Sequence, residues 1–228
     1  MIAIIPARGG SKRIPRKNIR PFFGVPILAH TINEISKTEM FSQIVVSTED
    51  AEISRIARDA GATVLIREPK LADDFTTTVD VIAASVVQLQ ESNPIEEEVC
   101  CVYPITPQFG KKYLENALQI LREEKLDYVF TAKQFNSSPA RALKIGVNGK
   151  SEMYFPEYLT TRTQDLPPLF HDAALFYLGT YQAWLDKKPI LDGNSKFIEV
   201  EKYETVDVDD PEDWEFLEIL YKKSKGII

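Results

Sequence analysis

The chain has 228 residues, 44% of them hydrophobic, which suffices for one sizeable core and argues against disorder. Its formal net charge of −7 argues against a general nucleic-acid binder and against a protein that binds acidic membranes. The two cysteines, Cys100 and Cys101, are adjacent, so their side chains would leave a strand in opposite directions and form no disulfide framework. We expect a cytoplasmic protein with no membrane span.

Strand-like and helix-like segments alternate along the first 133 residues. Short apolar runs predict buried strands at 2–5, 43–47, 62–66, 99–103 and 128–133. Apolar periodicity and end signals predict helices at 26–36, 50–60, 77–91 and 111–124. Repeated strand–helix–strand units imply an α/β fold with a mostly parallel sheet that is covered on both faces.

This alternation stops over 136–168. A structureless loop of that length is uncommon in a compact domain, so we interpret the segment as an arm that packs on another surface. The regular elements that follow are predicted as strands over 173–177 and 197–208, a helix near 180–187 and a last helix from Pro211. The prediction is therefore one domain over 1–228 with an arm at about 136–168.

A basic loop follows the first strand: the sequence IPARGGSKRIPRKN occupies positions 5–18. The carboxyl end of a parallel strand is where open α/β sheets bind ligands. Glycines let backbone N–H groups converge on anionic oxygens, and lysine and arginine supply compensating charge. The spacings of a P-loop and of a dinucleotide fingerprint are both absent. In so acidic a chain the loop indicates a polyphosphate ligand, with a solvated basic loop as the alternative.

The same loop resembles the signature of the CMP-sialic acid synthetase (acylneuraminate cytidylyltransferase) family. That resemblance implies a Rossmann-like sheet of the nucleotide-diphospho-sugar transferase type. It also implies transfer of CMP from CTP to the anomeric hydroxyl of a nine-carbon acidic sugar, with release of pyrophosphate. In this reaction Arg8, Lys12 and Lys17 would act catalytically by neutralising the leaving pyrophosphate. The loop residues that the resemblance assigns to the nucleotide are Arg8, Gly9, Gly10, Ser11, Lys12, Lys17 and Asn18.

Two further segments resemble parts of the family's site. The loop after the third predicted strand is similar to the family's Arg-Pro-x-x-Leu-Ala-x-Asp stretch, which implies that Arg67 and Thr78 bind cytosine. For residues 76–78 helix capping is an equally good interpretation. Tyr103 begins a Tyr-Pro-Ile-Thr-Pro turn at the place of the family's Gln-Pro-Thr-Ser-Pro turn. The missing glutamine argues against sialic acid itself as substrate.

A candidate metal site lies within 204–211, ETVDVDDP. On a strand, residues two apart share a face, so Asp207 and Asp209 would project together while the intervening valines are buried. Paired carboxylates suit Mg²⁺ completed by water and phosphate oxygens, and the family has an Asp-x-Asp pair here. A solvated strand end is the alternative. Asp210 precedes Pro211 and is expected to cap the last helix.

The sugar side of the site is implied by resemblance. Arg162 lies in a segment similar to the family's Arg-Gln-x-Leu-Pro, whose arginine pairs with the sugar carboxylate. We interpret His171 and Asp172 as shaping the sugar pocket, because the nucleophile is the sugar hydroxyl, and His30 as structural. No side chain stands out as general base, so a metal-bound water or hydroxide is our hypothesis. The sugar-binding residues so implied are Tyr103, Arg141, Arg162, Gln164, His171, Asp172 and Phe176.

Within the family, the segments KRIPRKN at 12–18 and FHDAALFY at 170–177 are similar to the pseudaminic acid cytidylyltransferase branch. A sialic or legionaminic acid specificity is the nearest alternative. A catalytically silent nucleotide-binding module is the alternative of another class. The resemblance also implies a homodimer in which the arm reaches across to the neighbouring subunit.

Overall fold

The computed structural model describes residues 1–91 and 98–228. Numbered in chain order, its strands and helices are β1 (Ile2–Pro6), β2 (Pro21–Phe22), β3 (Val25–Pro26), α1 (Ile27–Ser36), β4 (Gln43–Thr48), α2 (Ala51–Asp59), β5 (Thr63–Ile66), α3 (Thr78–Gln90), β6 (Val99–Val102), α4 (Lys111–Glu123), β7 (Tyr128–Gln134), β8 (Leu143–Ile145), β9 (Ser151–Met153), β10 (Phe170–Gly179), α5 (Tyr181–Leu185), β11 (Ser195–Glu199) and α6 (Pro211–Ser224). In these residues no helix combines the length and the apolar character that a bilayer span requires.

Seven strands form the central sheet, in the order β11-β7-β10-β6-β1-β4-β5. Strand β10 runs antiparallel to both of its neighbours, and the other pairings in this sheet are parallel. The predicted α/β fold with a mostly parallel sheet is confirmed. Because β1, β4, β5 and β6 are parallel, their carboxyl ends meet at one edge of the sheet, and the loops that follow them lie side by side.

Helices cover both faces of the sheet, as strand alternation demands. On β1, Ile5 packs with α1, α2 and α4 on one face, while Ile4 packs with α3 and α5 on the other. Cys100 and Cys101 are fully buried free thiols on opposite faces. The interpretation that these adjacent cysteines form no bridge is therefore confirmed.

Helix capping follows the sequence signals. The Asp50 carboxylate accepts hydrogen bonds from the first-turn amides of α2, and the Thr77 hydroxyl does the same for α3. Asp210 caps α6 in a reciprocal capping box with Asp213, which confirms the role expected for Asp210. These caps fix where each helix begins, and α2 and α3 begin close to the carboxyl edge of the sheet.

The segment 136–168 forms an arm that carries the small β8–β9 hairpin. Its apolar side chains reach solvent: Ile145 is 86% exposed and Leu143 68%. The β8–β9 hairpin agrees with the interpretation that 136–168 is not a structureless loop. What covers its apolar residues in solution stays a prediction.

One predicted element is wrong. The strand expected over 197–208 ends at Glu199, and residues 200–210 form an irregular segment. The reason is that Val208 leaves the sheet and is buried beside Trp214 of α6, in a separate apolar cluster. Of the two valines expected to be buried on a strand, Val208 is buried and Val206 only partly so.

Candidate active site

A cleft of about 630 Å³ opens at the carboxyl edge of the sheet, between the loops that follow β1, β5 and β6. A cleft at this edge is compatible with the expected ligand site, which stays a prediction. The predicted site residues that line it are Arg8, Ser11, Lys12, Lys17, Asn18, Arg67, Thr78, Tyr103 and Asp207.

The glycines of the basic loop have a steric role that differs from the predicted one. The Gly9 amide donates to Glu49 Oε1 at 2.7 Å, so it is already paired and does not point at the cleft. A Cβ on Gly9 would lie 2.6 Å from Asp50 Oδ2. Close packing against Asp50 therefore requires glycine here. A Cβ on Gly10 would meet no heavy atom of the described residues within 4 Å.

The loop is tied to the sheet edge by side chains. Arg16, whose φ of 56° is left-handed, donates to Asp50 Oδ2 at 2.5 Å and to Asp50 Oδ1 at 3.1 Å. The hydrogen bond from Arg16 is the main reason that the pKa of Asp50 falls to about 2. Asn18 is buried and donates to the Arg8 carbonyl at 2.9 Å. The predicted contact of Asn18 with the nucleoside is compatible with its place in the cleft lining.

Two cations of the loop share one carboxylate from across the cleft. Arg8 Nη1 donates to Asp74 Oδ1 at 2.8 Å, and Lys12 Nζ donates to Asp74 Oδ2 at 2.5 Å. These hydrogen bonds, that from Lys12 first, lower the pKa of Asp74. Asp74 thus sits where an anionic ligand of both cations would sit. Sequence reasoning missed this partner, although the doubled aspartate at 73–74 beside a cationic loop was a possible signal.

A second charge cluster closes the other wall. Lys17 Nζ donates to the Val208 carbonyl at 2.5 Å and lies 4.0 Å from Asp209 Oδ1. Arg13 Nη2 lies 2.6 Å from the same Asp209 oxygen. Burial lowers the pKa of Lys17, and the charges of Asp209 and Asp207 partly oppose that effect. Positive and negative groups therefore alternate along this wall.

Asp207 and Asp209 project from the irregular segment, while Val208 between them is buried. Surrounding protein partly desolvates Asp207 and raises its pKa, and the neighbouring charge of Asp209 raises it further. A divalent cation would relieve that repulsion, and two carboxylates leave room for water and phosphate oxygens. In residues 1–91 and 98–228 no group of three or more His, Cys, Asp or Glu side chains is arranged to hold a metal. The pair fits a Mg²⁺ ion that takes its remaining ligands from a substrate.

The opposite end of the cleft carries Arg67 and Thr78. Arg67 is only 6% exposed, and its Nη2 donates to the Ser47 carbonyl at 2.7 Å. Burial lowers the pKa of Arg67. Thr77 caps α3, which leaves the Thr78 hydroxyl free to pair with the Tyr103 hydroxyl at 2.9 Å. Of the two interpretations of 76–78, capping thus applies to Thr77, and Thr78 faces the cleft.

Behind Tyr103 lie side chains of strand β10, of which Ala174 lines the cleft. The rings of Tyr103 and Tyr177 meet edge to face at 5.6 Å, and the Tyr177 hydroxyl donates to Asp172 Oδ2. Asp172 Oδ1 accepts from the Ala174 amide at 2.8 Å. His171 Nδ1 lies 2.9 Å from the Asp172 carbonyl, and its ring packs on Phe135. Asp172 therefore has internal partners, as the interpretation of a shaping role requires.

The expectation that Phe176 lines the sugar pocket is wrong. Phe176 is fully buried, packs on Phe109 and lies on the face of the sheet away from Tyr103. The cause is a bulge in β10 between Asp172 and Tyr177, which breaks the alternation and turns Tyr177 toward Tyr103 instead.

Three predicted sugar ligands lie on the arm, outside this cleft lining. Arg141 Nη2 donates to the Thr161 carbonyl, Arg162 Nε donates to Asp165 Oδ2 at 2.6 Å, and Gln164 is exposed. Their predicted contact with the sugar stays a prediction. His30 contacts the Phe22 carbonyl at 2.8 Å within an aromatic cluster, in keeping with a structural role.

Lys133 is a candidate that sequence reasoning missed. Its Nζ donates to the Thr205 carbonyl at 3.1 Å, and burial lowers its pKa while the charge of Asp207 partly opposes that effect. The available signal was a lysine near the end of the otherwise apolar strand β7.

Comparisons with known proteins agree with this geometry. The family model described as Cytidylyltransferase matches residues 2–224. The chain is 36% identical over 222 residues to a pseudaminic acid cytidylyltransferase of Campylobacter jejuni subsp. jejuni serotype O:23/36 (strain 81-176), covering 97% of this chain and 96% of that protein. It is 39% identical over 209 residues to a Helicobacter pylori (strain ATCC 700392 / 26695) protein named pseudaminic acid cytidylyltransferase and UDP-2,4-diacetamido-2,4,6-trideoxy-beta-L-altropyranose hydrolase. That match covers 91% of this chain and 40% of that protein.

Among solved structures, a CMP:2-keto-3-deoxy-manno-octonic acid synthetase complexed with CTP superimposes with a TM-score of 0.72 over 98% of both chains. Its sequence identity is 17%, so this likeness concerns the fold.

Proposed function

Since the chain belongs to the cytidylyltransferase family, we propose that it transfers CMP from CTP to the anomeric hydroxyl of a nine-carbon acidic sugar and releases pyrophosphate. The observation that carries this proposal is the cleft itself. A cationic loop forms one part of its wall, and a buried arginine with a threonine hydroxyl lies at the far end. Asp207 lines the cleft, and Asp209 lies outside the lining in contact with Arg13 of the loop. These groups match the triphosphate, the base and the metal of a nucleoside triphosphate.

The side chains have distinct tasks in this reaction. The sugar hydroxyl attacks the α-phosphorus of CTP, and pyrophosphate leaves as negative charge develops on it. Arg8, Lys12 and Lys17 line the cleft and would neutralise that charge, Arg8 and Lys12 once the phosphates replace Asp74. Arg67 has its guanidinium fixed by Ser47, so it presents a preoriented edge to the pyrimidine.

Asp207 and Asp209 are the residues that would hold Mg²⁺. When bound, the ion supplies Lewis-acid stabilisation of the phosphate oxygens. Because Arg13 contacts Asp209 at 2.6 Å, metal binding is expected to release Arg13 toward the phosphates. No side chain is assigned as general base, and a water or hydroxide held at the carboxylate pair stays our hypothesis for that role.

Pseudaminic acid is our proposal for the sugar. It rests on the names of relatives at 36% and 39% identity and on the aromatic wall at Tyr103. Pseudaminic acid carries a methyl terminus and a second acylamino group where sialic acid has hydroxyls, so a less polar wall favours it. Sialic and legionaminic acids are the competing substrates.

We further propose that the arm completes the site in a homodimer. The exposed apolar residues Leu143 and Ile145 of β8 need a covering surface, and a two-fold partner would supply one. Arg141 and Arg162 would then reach the sugar carboxylate of the neighbouring subunit, although neither lines the cleft of its own subunit.

Pyrophosphate release tests the function directly. The purified protein is incubated with each of the four nucleoside triphosphates and with pseudaminic, legionaminic or sialic acid, with Mg²⁺ or with excess EDTA. Turnover is expected with CTP, best with pseudaminic acid, and abolished by EDTA. Equal release from UTP or ATP would refute the cytidyl assignment. Equal turnover of sialic acid would refute the choice of sugar alone. CTP binding without any release would favour the silent nucleotide-binding module.

A further inference from the structure

Four polar side chains form a chain of contacts that begins in the cleft. The Thr78 hydroxyl pairs with the Tyr103 hydroxyl at 2.9 Å, and the Tyr103 ring meets the Tyr177 ring at 5.6 Å with an electrostatic interaction between the two hydroxyls. The Tyr177 hydroxyl donates to Asp172. Thr78 and Tyr103 line the cleft, whereas Tyr177 and Asp172 lie outside its lining, behind Tyr103.

The Asp172 carboxylate orients the Tyr177 hydroxyl. That hydroxyl donates to Asp172 Oδ2, so its single proton points away from Tyr103. The Tyr177 ring, held in this way, packs against the edge of the Tyr103 ring. The hydroxyl of Tyr103 pairs in turn with that of Thr78, and either oxygen can be the donor. The position of Tyr103 therefore depends on contacts at both of its neighbours.

Asp172 is itself held by the backbone. Its other oxygen accepts from Ala174, whose φ of 53° is in the left-handed region and marks the bulge of β10. The bulge turns Tyr177 toward Tyr103, and the same carboxylate receives the Tyr177 hydroxyl. Asp172 thus holds both the bulged backbone at Ala174 and the side chain of Tyr177.

Tyr177 does not reach the cleft, whereas Tyr103 lines it. Burial raises the pKa of Tyr103 to about 12 and raises that of Tyr177 as well, so both hydroxyls stay protonated near neutral pH. The Tyr177 hydroxyl is buried and already donates its proton, so it is unsuited to acid–base catalysis. Its effect on the site is through the position of Tyr103.

We propose that Tyr177 is a positioning residue that orients Tyr103, so that the sugar meets the ring of Tyr103 and not a free hydroxyl. This inference rests on the proposed function and deepens it. It makes the sugar-facing wall aromatic and fixed, which selects a sugar with an apolar group at that position. It also assigns Asp172 an anchoring role in place of direct sugar binding.

The test compares Tyr177→Phe, Tyr103→Phe and the double variant by steady-state pyrophosphate release, with CTP and sugar varied separately. Each change removes one hydroxyl and keeps the ring. Each single variant is expected to raise the sugar KM about tenfold and the CTP KM less than about twofold, since one buried hydrogen bond is lost. The double variant should match the single variants, because either change breaks the same chain.

Tyr128→Phe is the matched control. Tyr128 is fully buried on the adjacent strand β7, and its hydroxyl has no hydrogen-bond partner within residues 1–91 and 98–228. This variant should keep the wild-type KM for both substrates. Should Tyr177→Phe fail to fold, Tyr103→Phe probes the same chain from the cleft side.

The outcomes separate two failures. If the wild type turns over sugar and Tyr177→Phe keeps its KM, or if the two single effects multiply in the double variant, the inference is wrong and the proposed function stands. If the wild type releases no pyrophosphate with any acidic sugar, the proposed function fails and the inference fails with it. An altered pH profile in Tyr177→Phe would point to proton transfer and would also overturn a positioning role.

Discussion

Asp50 links the stability of the fold to the shape of the basic loop. Its carboxylate accepts from the amides of Glu52 and Ile53 at 2.9 Å and from Arg16 at 2.5 Å. We predict that Asp50→Ala lowers the free energy of unfolding, because it removes both the cap of α2 and the anchor of the loop.

The size of the effect follows from these contacts. A lost N-cap costs about 1 kcal/mol. The fall in the pKa of Asp50 from 3.8 to about 2 corresponds to about 2.4 kcal/mol at neutral pH, cap included. The side chain of Asp50 is 20% exposed and that of Arg16 40%, so solvent screening reduces this figure. We therefore expect a loss of about 1–2 kcal/mol for Asp50→Ala and a smaller loss for Asp50→Asn, which can still cap.

The pH dependence has a definite sign. Because the pKa of Asp50 is lowered by folding, its stabilisation is fully present above pH 3.8 and is lost as the pH falls through 3.8 toward 2. Urea unfolding at pH 7 and again between pH 4 and pH 2.5 should show wild type and Asp50→Ala converging in acid. Asp59→Ala is the control, because Asp59 pairs with Arg55 on the exposed face of the same helix, and it should cost at most about 0.5 kcal/mol. Equal losses for Asp50→Ala and Asp59→Ala, or a difference independent of pH, would refute the reasoning.

Three further predictions concern the site. Asp209→Asn should leave the fold intact and lower kcat by about a hundredfold or more, measured as pyrophosphate release beside an unfolding curve; near wild-type kcat would mean that the metal binds elsewhere. Mixing Arg162→Ala with Asp209→Asn subunits should restore roughly a quarter of wild-type activity in a two-fold dimer with random exchange, whereas exchange without recovery would contradict a shared site. Gly9→Ala should weaken CTP binding measured by calorimetry, because the new methyl group displaces Asp50, and unchanged affinity would show that the loop adjusts freely.

Much of the fold could be predicted from local signals. Pro6 and Pro104 mark the points where β1 and the chain after β6 turn into loops, and Gly61, with a φ of 91°, ends the region of α2. These end signals depend on the backbone preferences of single residues, so they can be recognised without knowing the tertiary structure. The position of the cleft followed from the same reasoning, because parallel strands place their carboxyl ends together.

The errors arose where one residue breaks a regular period. In β10 the left-handed backbone at Ala174 accompanies a bulge, and Leu175 and Phe176 pack in the same apolar cluster, so the sugar contact that resemblance implied for Phe176 is not possible on that face. Val208 was predicted to be buried in a strand, but it is buried against α6. Neither departure is visible from the period of the sequence alone.

Long-range pairing was the other gap. The contact of Asp74 with Arg8 joins residues 66 positions apart, and that of Lys17 with Val208 joins residues 191 apart. Sequence patterns gave the charges of these residues but not their partners.

The carboxylate of Asp74 bears on how the nucleotide enters. Arg8 and Lys12 already hold this anion, so an incoming polyphosphate replaces it and does not meet two bare cations. Nucleotide binding is then an exchange of anions. The attraction between the phosphates and the two cations is reduced by the energy of the ion pairs with Asp74 that must break. Affinity for CTP should consequently fall less steeply with ionic strength than two unpaired cations would suggest. When a triphosphate is bound, Asp74 would lose both cationic partners, and the loop between β5 and α3 would be released from the basic loop. The position of the β5–α3 loop would then differ between the free and the nucleotide-bound protein.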